Sequence, residues 1–213
     1  MIYLEKNDKN IKKMEAYMKN NFSYLGIKTP SRRELTKDLM KESKSWPLEE
    51  LISQILAYYG REEREYQYIA IDLAQKNLKR LTVDEVQVLV ELIKVKPWWD
   101  SVDALRKVIS DFLKLSPINF NDISKQFENH DNFWMRRVGI NLQLGYREET
   151  DLAYLSKMIL NDRTTDEFFI QKAIGWSLRE YAKTDENWVI IFIESHDLSK
   201  LAVREGLKHV KTK

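Results

Sequence analysis

The chain has 213 residues, 43% of them hydrophobic and 32% charged, which is enough for a buried core and too apolar for a disordered tail. It contains no cysteine, which excludes disulfides, thiolate nucleophiles and cysteine metal sites and suits a reducing compartment. The formal charge of +2 does not by itself mark a nucleic-acid binder, and no stretch approaches the roughly 20 apolar residues of a membrane span. A cytoplasmic protein with no membrane association is expected.

With 6 Gly and 4 Pro, turn punctuation is sparse and the balance leans to helix. Taken in chain order, Ser31 to Glu34 reads as a capping box. Pro47 precedes Leu48, Leu51, Ile52, Ile55 and Leu56, which recur at helical spacing, and Gly60 is placed to close that helix. Tyr58-Tyr59 reads as packing, and Glu62-Glu63-Arg64-Glu65 as a solvated face or the first turn of the next helix. Thr82 to Glu85 is a second capping box, and Asp131 and Thr165 are candidate N-caps for later helices. No segment sustains a two-residue alternation bounded by hairpin turns. The expectation is about ten to twelve helices joined by short loops. No linker divides the chain, so residues 1–213 are read as a single domain.

An internal repeat organises these helices. Tyr66, Trp99, Trp134 and Phe169 each stand near the start of an expected helix, and successive anchors lie 33, 35 and 35 residues apart. A period in the mid-thirties with two helices per unit is the signature of an α-solenoid. One helix of each stacked pair would line a concave face, which suits an extended partner such as a peptide or a duplex.

One residue breaks the repeat. The fourth position after each anchor holds Ala70, Asp103, Val138 and Ala173 in turn. A carboxylate in an apolar row is costly unless it caps a neighbouring helix, pairs with an arginine or performs chemistry. Asp103 is one helical turn from Trp99, so ring and carboxylate can share a face. The third position runs Ile69, Val102, Arg137, Lys172, which brings cations to the later repeats. Trp176 lies one turn from both Lys172 and Arg179, so the three can form a basic and aromatic stripe that holds phosphates. His130, His196 and His209 lack metal-ligand spacing, and no Gly-rich phosphate loop or hydrolase elbow occurs, so neither metal nor cofactor is expected.

At these residues the sequence resembles the HEAT-like-repeat alkylpurine DNA glycosylases of the AlkD type. The resemblance rests on Tyr17-Met18-Lys19-Asn20 with Leu25-Gly26-Ile27 and Thr29-Pro30, on Trp98-Trp99-Asp100-Ser101-Val102-Asp103, on Trp134-Met135-Arg136-Arg137, and on the block from Phe168 to Lys183. It implies an all-α, right-handed α-solenoid of HEAT-like repeats whose concave face binds duplex DNA. It also implies a monofunctional glycosylase of base-excision repair. Such an enzyme excises cationic alkylated purines, N3-methyladenine and N7-methylguanine among them, without flipping the base. The partner is then double-stranded DNA containing alkylated purines, bound by a monomer. By the family motif the catalytic carboxylate falls on Asp103, the aromatic walls on Trp99 and Trp176, and a backbone-gripping cation on Arg137. Tyr17, Lys172 and Arg179 fall at positions near the DNA, and Lys28 lies in a loop placed there, where the active type is expected to carry Gln. Only Met1 to Ala16 precede Tyr17, which keeps a non-catalytic paralogue that binds nucleic acid as an alternative, beside a protein-interaction scaffold.

Overall fold

The computed structural model describes residues 2–210. Among them run thirteen α-helices and no strand: Asp8–Tyr17 (α1), Thr29–Leu35 (α2), Lys37–Glu42 (α3), Leu48–Tyr59 (α4), Arg64–Lys76 (α5), Val83–Leu92 (α6), Trp99–Leu115 (α7), Phe120–Ser124 (α8), Phe133–Ile140 (α9), Leu152–Asp162 (α10), Phe168–Tyr181 (α11), Glu186–Ser195 (α12) and Lys200–Gly206 (α13). The helices gather into two compact units, one up to Leu92 and one from Ile93 onward.

In the first unit α4 lies along α5. Its buried side chains are Leu51, Ile55, Tyr58 and Tyr59, which meet Tyr66, Ile69, Leu73 and Ala74 of α5 and Val86, Leu89 and Val90 of α6. Each of the leucine, isoleucine and valine side chains removed from water contributes roughly 1.5–3 kcal/mol. Tyr58 and Tyr66 also tie down the N-terminal strap: their hydroxyls accept from Ile2 N at 2.5 Å and Leu4 N at 3.0 Å. Pro47 stands at the N-cap of α4 and Gly60 at its C-cap, as expected.

Of the two readings of the acidic run beside Gly60, the first turn of the next helix holds and the solvated face does not. Glu63 is the N-cap of α5, whereas Arg64 and Glu65 are fully buried. Glu65 is buried because both carboxylate oxygens accept backbone N–H groups, from Leu25 and Ile27 at 3.0 Å each. Gly26 between them has φ +80°, and a Cβ there would lie 2.1 Å from Asn7 O, so glycine is required.

In the second unit α11 packs against α13, α9 and α12. Val102, Leu105, Ile109 and Phe112 form the buried stripe of α7, at the i, i+3, i+7 and i+10 spacing of one helix face. Val138 from α9, Met158 and Ile159 from α10 and Ile170, Ala173 and Ile174 from α11 complete the core.

Several helix starts shift by one or two residues. Asn132, not Asp131, caps α9, its side chain accepting from Trp134 N at 2.9 Å. Glu167, not Thr165, caps α11, while Thr165 Oγ1 accepts from Glu167 N. Ser31 caps nothing, because α2 already starts at Thr29 with Pro30 in its first turn. The Thr82 box holds: Glu85 accepts from the Thr82 backbone N–H at 2.8 Å. The repeat anchors fall where the period places them. Trp99 opens α7, Trp134 and Phe169 are the second residues of α9 and α11, Tyr66 is the third of α5, and another helix follows each. This is an all-α fold of HEAT-like helical repeats.

Candidate active site

Helix α7 starts after Pro97, with Trp98 in an extended conformation as its N-cap. Beside its buried stripe run Trp99, Asp103 and Arg106, at i, i+4 and i+7, so the three share one face. The row that holds Ala70, Val138 and Ala173 elsewhere is fully buried at those three positions. Asp103 alone in it keeps contact with solvent, its side chain 18% exposed.

Arg137 of α9 meets this carboxylate with a two-pronged fork. Its Nε donates to Asp103 Oδ1 at 2.9 Å and its Nη2 to Oδ2 at 2.8 Å. The third nitrogen, Nη1, donates to the Phe169 carbonyl of α11 at 2.6 Å. Arg137 therefore joins three successive repeat helices, and its side chain is only 6% exposed. Parallel charge-assisted bonds of this kind fix the orientation of both partners. Of the readings open for Asp103, the structure shows an arginine pair. It also shows the cation expected to grip a DNA backbone turned onto that acid.

Two further expected cations, both on α11, are engaged as well. Lys172 Nζ and Arg179 Nη1 both reach Glu205 Oε2 at 3.0 Å. Glu205 comes from α13, which α11 admits closely because residue 175 is glycine: a Cβ there would lie 2.4 Å from Glu205 Cβ. The hydrogen bond from Lys172, followed by that from Arg179, holds the Glu205 carboxyl below the usual carboxylate range, against the opposing effect of desolvation.

The aromatic residues divide into two groups. Trp98 packs edge-on against Phe169 at 5.2 Å, Trp134 lies 4.8 Å from Phe169, and Phe133 stacks parallel to Phe169 at 6.5 Å. This cluster surrounds the starts of α9 and α11, beside the Phe169 carbonyl that Arg137 holds. Trp176 lies apart from it on α11, half-buried, with the Arg106 guanidinium 5.8 Å over its ring. Trp99 is half-buried at the first position of α7. Asp103, Trp99, Trp176, Arg137, Lys172 and Arg179 all belong to the second unit.

Tyr17 and Lys28 belong to the first unit. Tyr17 ends α1 and is 69% exposed, beside Met14, Tyr24 and Tyr68. Lys28 is the exposed N-cap residue of α2. Sequence reasoning missed Glu205, which carries no local signal, and Arg106, which one further helical turn from Asp103 would have found. Among the described residues no group of three or more His, Asp or Glu side chains could hold a metal, and no helix is long and apolar enough to cross a membrane.

Comparison with known proteins adds identity to this geometry. No curated protein matches the chain. A solved structure described as a predicted DNA alkylation repair enzyme from Enterococcus faecalis is 47% identical, with a TM-score of 0.98 and both chains fully covered. The crystal structure of AlkD2 from Streptococcus mutans has the same fold at 15% identity, with a TM-score of 0.69 over 95% of this chain and all of the other. The family described as DNA alkylation repair enzyme matches residues 3–210, and over that span the chain belongs to it.

Proposed function

We propose that the protein is a DNA N-glycosylase that releases cationic alkylated purines, such as N3-methyladenine and N7-methylguanine, from duplex DNA. It acts as a monomer and without turning the base out into a pocket. One observation carries this reading: Asp103, the single acid in an otherwise apolar row, stays partly exposed while Arg137 holds both of its oxygens.

The chemistry suits one fixed anion. A methylated purine is already positively charged, so its bond to C1′ is weak and the base needs no proton in order to leave. The electron pair of that bond goes to the base and neutralises it. The sugar becomes an oxocarbenium-like cation, water adds at C1′ and sheds a proton, and an abasic site remains. Asp103 supplies negative charge where the sugar turns positive. The indoles of Trp99 and Trp176 add attraction for the cation, roughly 0.5–2 kcal/mol each. Lesion choice follows from leaving-group quality, because N3 and N7 are open in the grooves of a stacked duplex. That differs from enzymes that extrude the base. Arg137, Lys172, Arg179, Tyr17 and Lys28 are the proposed DNA contacts, with phosphates competing for the cations against Asp103 and Glu205.

The test is release of N7-methylguanine from a duplex by the wild type and by Asp103→Asn. Release by the first and loss in the second supports the reading. A second reading, a repeat protein that binds duplex without cutting it, draws on the same ion pair, since Asp103 is already occupied by Arg137. It requires that the wild type bind the duplex and free no base.

A further inference from the structure

Arg106 is a buried charge with no bonded carboxylate, offset only through space by Asp103 and Asp111. It is 8% exposed, its Nε is shut off from solvent with no hydrogen-bond partner, and it forms no ion pair among the described residues. The carboxylate one turn away, Asp103, is taken up by the fork of Arg137. Burial pushes the Arg106 guanidinium down, yet an arginine keeps its proton at neutral pH. Trp176 covers it from one side at 5.8 Å, but an indole face accepts no conventional hydrogen bond.

Arg106 lines a cavity of about 410 Å³ together with Trp176, Lys107, Lys114, Asp111 and Glu180. Both carboxylates there already have lysines of their own: Asp111 takes Lys107 at 2.5 Å and Glu180 takes Lys183 at 2.6 Å. Lys114 pairs with Glu149 at 3.3 Å. What the cavity leaves over is a positive charge with donors to spare.

We propose that Arg106, backed by Trp176, is a phosphate-binding site that takes a phosphodiester of the duplex beside the Asp103 carboxylate. A tetrahedral oxyanion offers several acceptors to a planar fork of N–H groups and supplies a directly bonded countercharge. A neutral acceptor such as a base edge would fill the donors but bring no bonded countercharge to a buried cation. The same chemistry could come from free phosphate. The duplex is favoured because Arg106 lies on the face that carries Trp99 and Asp103. The proposal rests on the duplex-binding part of the function proposed above.

The experiment uses the full chain, Arg106→Gln and Arg106→Lys, an undamaged duplex, and inorganic phosphate. Affinity for the duplex is followed over a salt series, and phosphate is titrated while the Trp176 indole N–H resonance is observed. The expected result is that Arg106→Gln flattens the log–log salt slope by roughly 0.9, the share of one phosphate contact, while Arg106→Lys retains it. Arg106→Gln is also expected to melt no lower than the wild type, because it removes a buried charge. An unchanged slope overturns the proposal for the duplex. If phosphate still moves the Trp176 resonance in the wild type and not in Arg106→Gln, the site serves a free anion instead. If neither probe senses the substitution, there is no site. Should the wild type bind no duplex at all, the functional reading fails, and the phosphate titration alone decides whether Arg106 holds an anion.

Discussion

Asp103 and Arg137 are 34 residues apart in the chain and share two hydrogen bonds in the fold. The acid was legible in the sequence because the same row is apolar in the other three repeats, so a carboxylate there stands out against its own background. Its partner was not, since no local spacing links one repeat to the next side chain by side chain. Asp103→Asn keeps the shape but leaves the buried Arg137 guanidinium facing a neutral amide, and we expect a loss of about 1–3 kcal/mol, read as a lower melting temperature. Glu205 makes the opposite kind of prediction. Glu205→Gln frees Lys172 and Arg179, so duplex binding should tighten at low salt and its salt slope steepen by roughly one to two units in a titration series. Because the folded carboxyl titrates below the usual range, its ion pairs stabilise the protein at neutral pH and down to the unfolded value near 4.3, then fade as pH falls through the lower folded value. The stability gap between wild type and Glu205→Gln, about 1 kcal/mol for a partly exposed cluster, should be flat from pH 7 to about 5 and close in stronger acid.

At the scale of elements, the helices were readable and their caps less so. Asp131 and Asn132 are adjacent and both suited to capping, and only the backbone decides between them. The Glu65 clamp escaped a local reading for another reason: its partners, Leu25 N and Ile27 N, lie about forty residues earlier in a strap with no helical pattern. Two glycines set how closely helices approach, which periodicity does not reveal. At Gly175 an added Cβ meets the Ala202 carbonyl at 2.9 Å and Glu205 Cβ at 2.4 Å, neither of which can swing aside. At Gly139 it meets the flexible end of Met158 at 2.4 Å and Phe127 Cβ at 2.8 Å. Gly175→Ala should cost about 1–3 kcal/mol and loosen the hold of α13 on Lys172 and Arg179. Thermal unfolding of the two variants should show Gly175→Ala as the less stable.

For the whole molecule, the period of 33 to 35 residues carried the fold class, because evenly spaced anchors report stacking even where each match is weak. Charge carried far less. The balance of 35 basic against 33 acidic residues conceals which cations are spoken for, and in the fold Arg137, Lys172 and Arg179 all are. At these three cations the proposed duplex binding exchanges internal carboxylates for phosphates, and it should be weak on undamaged DNA at physiological salt. The central claim is chemical: one ionised carboxylate at position 103 drives departure of a charged base. Its most direct measurement is single-turnover release of N7-methylguanine from a duplex carrying one such lesion, by wild type and by folded Asp103→Asn. The account predicts release by the wild type and a fall of roughly 10²–10³-fold in the variant. Equal release by both would contradict it.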